Sequence, residues 1–115
     1  SGVSTSNVGG AVTVNVSAIA YQRTAVTTTI TSSISDKILG VSASAELDIR
    51  LPAASGFANG QYFTVKDEAG NANTNNIVIR TSGADQIDGS TSIVLESPYA
   101  AVNIYSNGSD KFFIY

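Results

Sequence analysis

The chain has 115 residues, enough for one domain that buries about two thirds of its unfolded surface without metal or disulfide staples. With no cysteine and no histidine, it lacks a disulfide framework, thiol chemistry, the usual general base and the commonest zinc ligand. A formal net charge of −3, with six Lys and Arg scattered along the chain, offers no cationic footprint for nucleic acid, and no apolar run approaches the ~18 residues that span a membrane.

Valine and isoleucine together number 22 against four leucines, and threonine adds eleven. β-Branched side chains suit a pleated surface and crowd a helix, so the composition predicts an all-β fold with Gly, Asn and Ser turns. Residues 1–10, small and polar with a Gly9-Gly10 pair, read as an extended N-terminal arm. They have neither the cationic nor the apolar region of a signal peptide, and Ser1 fits either a native start or a cut from a longer polypeptide. Val12, Val14 and Val16 alternate with Thr13 and Asn15 as in a half-buried strand. The run 23–33 is β-prone but poor in large apolar groups, and reads as a strand whose partner, another subunit in one reading, supplies much of the burial.

A second group of elements begins near Lys37. In 47–51 Leu47, Ile49 and Leu51 face one way and Asp48 and Arg50 the other, and Pro52, lacking a donor, ends the ladder. Phe63 and Val65 are the inward pair of 62–67. Residues 67–76 read as a polar loop, followed by Ile77 and Ile79 and then by Val102 and Ile104 as further inward pairs. Asn107-Gly108 is the tightest hairpin signal, leading into a last strand at 111–115. Strands at this spacing predict a small antiparallel β-sandwich or barrel. Val78, Val94 and Tyr105 fall on the phase opposite the inward set. With Phe112 and Phe113 they are the candidate subunit interface.

Catalytic chemistry is sparse. There is no Gly-x-Ser-x-Gly elbow, and the nine acids fall mostly at strand ends and turns, where charge is solvated. Gly83-Ala84-Asp85-Gln86-Ile87-Asp88-Gly89 is similar to one turn of a calcium-binding β-roll. Such sites need neighbouring repeats, so a turn with Ile87 plugging the core is the plainer reading. Asp67, Glu68, Asn71, Asn73 and Asn75 concentrate oxygens in one loop without EF-hand order. No metal, cofactor or catalytic residue is expected. Tyr62 and Tyr99, with Asn73 and Asn75, are candidate glycan contacts, since tyrosine stacks on sugar faces and amides bond hydroxyls.

Taken in order, Leu51-Pro52-Ala53-Ala54, Lys66-Asp67 with Gly70-Asn71-Ala72, Asn75-Asn76-Ile77, Ile87-Asp88-Gly89 and Asn107-Gly108-Ser109 before an aromatic strand form a series. Over residues 36–115 it resembles repeat-like β-domains of bacteriophage virion proteins, chiefly tail-fibre, tailspike and head-fibre polypeptides. Relatives often carry a tryptophan in the last strand, where this chain has Phe112 or Phe113. The resemblance implies a structural, non-enzymatic virion component assembled in the bacterial cytoplasm. It also implies a homotrimer whose partners are copies of itself, other virion proteins and a host surface glycan, with no nucleic acid and no membrane insertion. Residues 1–35 would then serve attachment or trimerisation, and 36–115 would be the fibre-like domain. A capsid decoration (cement) protein is the alternative address, and a carbohydrate-binding module the alternative class. Enzymatic tailspikes resemble long parallel β-helices, for which this chain is too short.

Overall fold

Alternation at period two sets the strands, and the structure, a computed structural model describing residues 22–115, holds ten of them with one three-residue 3-10 turn at Ala54–Gly56. The expected arm at 1–10 and the strand at 12–16 lie outside the described residues. The strands are β1 (Arg23–Val26), β2 (Ile30–Thr31), β3 (Ile38–Val41), β4 (Leu47–Arg50), β5 (Tyr62–Asp67), β6 (Ile77–Arg80), β7 (Gln86–Ile87), β8 (Ser92–Leu95), β9 (Ala101–Ser106) and β10 (Lys111–Ile114). They form two sheets, ordered β1-β3-β5-β9-β10-β7 and β2-β4-β6-β8.

The all-β expectation stands, but the antiparallel one is corrected. From β1 to β6 each strand lies in the sheet opposite its predecessor, so neighbours within a sheet are two elements apart and run parallel: β1 with β3, β3 with β5, β2 with β4, β4 with β6. The chain therefore winds through three successive coils, each giving one strand to either wall. Only the last third reverses. There β8 and β9 run antiparallel to β6 and β5, and β10 folds back on β9. Both sheets are mixed. Period-two alternation reports that one face is buried and is silent on pairing direction, which the connections set.

The run 23–33 is a second correction. It divides at residues 27–29 into β1 and β2, which sit in different walls and find their partners in β3 and β4 of the same chain. The expected boundary at 35/36 thus falls between strands of shared sheets. Asp36 secures the turn there, accepting from Thr24 Oγ1 and from the Ser33 amide, both at 2.8 Å.

The core lies between the walls. Leu39, Val41, Leu47, Ile49, Phe63, Val65, Ile77, Ile79, Ile104 and Phe112 are all buried there, so the inward phases read from the sequence are the observed ones. Phe112 is fully enclosed, edge-on to Phe57 and Phe63 at centroid distances of 5.5 and 6.2 Å. It has no surface to give a subunit boundary, which removes it from the candidate interface. The hairpin signal at Asn107-Gly108 is realised as a four-residue loop between β9 and β10, where Asn107 Oδ1 accepts the amides of Ser109, Asp110 and Lys111. Strand β3 was hidden by Gly40 in its middle, a residue that weakens a strand taken alone. In the fold the missing side chain leaves room for the Glu68 carboxylate, which lies over Gly40 on the way to Arg23 of β1.

The solvated-acid expectation fails at Asp67. This side chain is fully buried at the end of β5 and accepts four backbone amides. Ala69 and Gly70 donate to Oδ1 at 3.2 and 3.1 Å, and Ala72 and Tyr99 to Oδ2, both at 3.0 Å. Burial alone would push the carboxyl up. The four amides outweigh it and hold Asp67 below the usual carboxylate range. One charge thereby organises the loop after β5 and ties it to the turn before β9.

Candidate functional site

On β5, β9 and β10 the inward residues fill the core, so the alternate residues face out on the first sheet. Register sets Tyr62 of β5 beside Tyr105 of β9, and Tyr105 beside Phe113 of β10, an aromatic row across three adjacent strands. Tyr115 folds over the row. Ring centroids are 5.4 Å apart for Tyr105 and Phe113, 5.7 Å for Tyr105 and Tyr115, and 6.4 Å for Tyr62 and Tyr115. The Lys37 ammonium lies 5.4 Å from the Tyr62 ring centroid, a cation–π contact that keeps that ring in place.

Exposure is high where it bears on function. Tyr62 is 57 % and Tyr115 60 % exposed, Ile38 on β3 adds 40 %, and Tyr105 and Phe113 are half-buried. Beside the row, Thr64 Oγ1 donates to Asn103 Oδ1 at 2.8 Å, so the bordering residues are polar and mutually satisfied. Taking ~200 Å2 for a whole aromatic side chain, the four rings present on the order of 350 Å2 to water. That matches the largest patch of an ordinary monomer and is under half of the ~800 Å2 each partner buries in a standard interface. The row can be the centre of an interface but needs its polar border to complete one.

The residues expected at functional positions do not all converge. Tyr105 and Phe113, read as interface, and Tyr62, read as glycan contact, join in this row, together with Tyr115 at the end of the last strand, a tyrosine that could also stack on a sugar. Val78 and Val94 pair in register on the outer face of the second sheet, across the sandwich from Tyr105, so the three cannot form one patch. Val78 is buried and Val94 is exposed.

Tyr99 lies at the other end of β5 from Tyr62, roughly 13 Å along the strand. There Lys66 donates to the Tyr99 carbonyl and its ammonium stands 5.8 Å from the Tyr99 ring centroid. Asn73 is exposed on the nearby loop, while Asn75 Nδ2 is engaged by the Ala43 carbonyl at 3.2 Å, so Asn75 holds the loop. Tyr62 is therefore not brought together with Tyr99, Asn73 and Asn75.

In the oxygen-rich loop all four Asp67 bonds come from backbone amides. Among the described residues no group of three or more acidic side chains is placed to hold a metal ion. At the β-roll-like turn, Ile87 is buried, Asp85 accepts the Ala54 amide at 2.8 Å, and Asp88 accepts the Ile114 amide at 3.3 Å. Among the described residues no helix is long and apolar enough to cross a membrane. No family model, no curated protein and no solved structure matches the chain.

Proposed function

We propose that this chain is a non-enzymatic structural domain of a bacteriophage particle, a fibre-like appendage domain of tail or capsid that assembles as a homotrimer through the outer face of its first sheet. The observation that carries the self-association is the in-register row Tyr62, Tyr105 and Phe113 with Tyr115 across it. Three further features support the reading. The order of turn motifs over 36–115 resembles virion β-domains. Stacked parallel coils suit a rigid, load-bearing element, since each strand is tied to neighbours from the coils before and after. The chain also has no histidine or cysteine to serve as base or nucleophile. Capsid decoration is the alternative position on the particle.

Light scattering at micromolar concentration tests the trimer. The expected mass is three times the 11.8 kDa of one chain. Changing Tyr105 and Phe113 together to Thr keeps β propensity, removes the centre of the row and should give monomers. A wild-type protein that stays monomeric refutes the assembly. The exposed rings of Tyr62 and Tyr115 also favour a second reading, a carbohydrate-binding module that stacks sugars on the same row. Glycan-array binding by a monomeric wild type, lost in Tyr62→Ala, would select that reading over the first.

A further inference from the structure

We propose that the outer face of the second sheet holds an oxyanion-binding cleft for an acidic saccharide, centred on Arg50 and Arg80. It is independent of the aromatic row, which lies on the other wall. In this sheet Thr31 of β2, Arg50 of β4, Arg80 of β6 and Ser92 of β8 stand in one register row, all on the outward phase. Two of the chain's six cationic side chains are thus direct neighbours on parallel strands about 4.8 Å apart, an arrangement that is unfavourable unless an anion answers it.

The protein supplies only half of that answer. Asp48, one step back on β4, accepts from Arg80 Nε at 2.8 Å, and no carboxylate among the described residues lies within ion-pair distance of Arg50. Among the described residues one fork of donors is left without a partner beside a second that is partly occupied, on a chain whose net charge is negative.

A cleft of about 500 Å3 opens at this row, lined by Thr31, Arg50, Leu51, Arg80, Thr81 and Ser82. That volume is within the usual range for small-ligand sites and holds a mono- or disaccharide. One wall is fixed, because the single hydroxyl proton of Thr81 is shared between the carbonyl oxygens of Asp85 and Thr91, at 2.7 and 3.0 Å from Oγ1. The planar guanidinium of Arg50 matches a carboxylate, sulfate or phosphate in two-point fashion, and the hydroxyls of Thr31 and Ser82 suit the hydroxyls of a sugar ring. Two cations do not form the extended track that a nucleic-acid backbone requires, so a single anionic group on a hydroxylated ligand is the chemistry that fits.

The test is an NMR titration of the full chain with glucuronate, glucose 6-sulfate and glucose 6-phosphate, using glucose, inorganic sulfate and inorganic phosphate as comparison arms. Saturable shifts at the amides of Thr31, Arg50, Thr81 and Ser82 are expected with at least one acidic sugar and not with glucose. Arg50→Gln should weaken that binding at least tenfold while leaving the melting temperature unchanged. Asp48→Asn, which releases Arg80, should tighten it severalfold, and this gain cannot come from misfolding. The proposal is overturned if no acidic sugar shifts these amides, if Arg50→Gln binds as well as wild type, or if inorganic sulfate and phosphate bind as tightly as the sugars.

Discussion

Replacing Asp67 by Asn keeps the side chain's shape but removes its charge and turns one acceptor oxygen into a donor. Whichever way the amide is oriented, its nitrogen faces two of the four backbone N–H groups that converge on Asp67. Each buried donor left without a partner costs about 1–3 kcal/mol, and the remaining pair loses the strength added by the charge. The expected loss is therefore about 2–6 kcal/mol, a large part of the ~5–15 kcal/mol that holds an ordinary domain together. Urea unfolding should show a lower midpoint with an unchanged slope, and thermal unfolding a melting temperature lower by about 10–30 °C. The effect also has a pH signature. Because the folded carboxyl is held below its unfolded value of about 3.9, its contribution is complete above that pH and is lost as pH falls through the folded value. Glu68, bonded by Arg23, and Asp110, bonded by Asn107, are shifted the same way, but both lie at the surface where water and salt screen them. Wild type should therefore lose stability below about pH 4, and Asp67→Asn should lose much less over that range. An Asn variant within about 0.5 kcal/mol of wild type at pH 7, with an unchanged acid limb, would refute the organising role given to Asp67.

Two further substitutions probe the same frame. Gly70 has φ +76°, and a Cβ there would sit 2.5 Å from the Tyr99 ring, so Gly70→Ala should destabilise by about 1–3 kcal/mol in urea unfolding. Tyr99→Ala in the same protein should recover part of that loss by removing the clash; no recovery would count against the contact. Phe112→Ala empties the space beside Phe57 and Phe63, with an expected loss of about 3–5 kcal/mol. A loss below about 1 kcal/mol would mean that Phe112 is not the enclosed residue described.

How much of the candidate sites could be read in advance differs from residue to residue. Tyr105 was on the outward phase by alternation alone, and so was Tyr62, while the phase of the last strand stayed open, with both Phe112 and Phe113 assigned to the interface. Nothing local says that Tyr62, Tyr105 and Phe113 stand side by side. Their adjacency depends on β5, β9 and β10 being neighbours in a given register, while β6, β7 and β8 intervene in the chain between the first two. Arg50 and Arg80 left a fainter trace, since Leu47-Asp48-Ile49-Arg50 and Ile77-Val78-Ile79-Arg80 both end in Ile-Arg on the same phase. That echo marks two strands stacked in parallel one coil apart. It carries meaning only once parallel stacking is known.

The amino-acid sequence by itself determined that this protein is built of strands, where five of them run and which residues they bury, because β-branching, period-two alternation and Gly/Asn turns act within a few residues. Pairing direction, the passage of the chain from wall to wall, the burial of Asp67 and the grouping of the aromatic and arginine rows were decided only in the tertiary structure. Each of these depends on at least one contact between residues far apart in the chain, such as Asp67 with Tyr99, Arg50 with Arg80, or Tyr62 with Tyr105. A strand with one apolar face satisfies its local preferences equally well beside a parallel or an antiparallel neighbour, and the choice falls to the core that all the strands fill together.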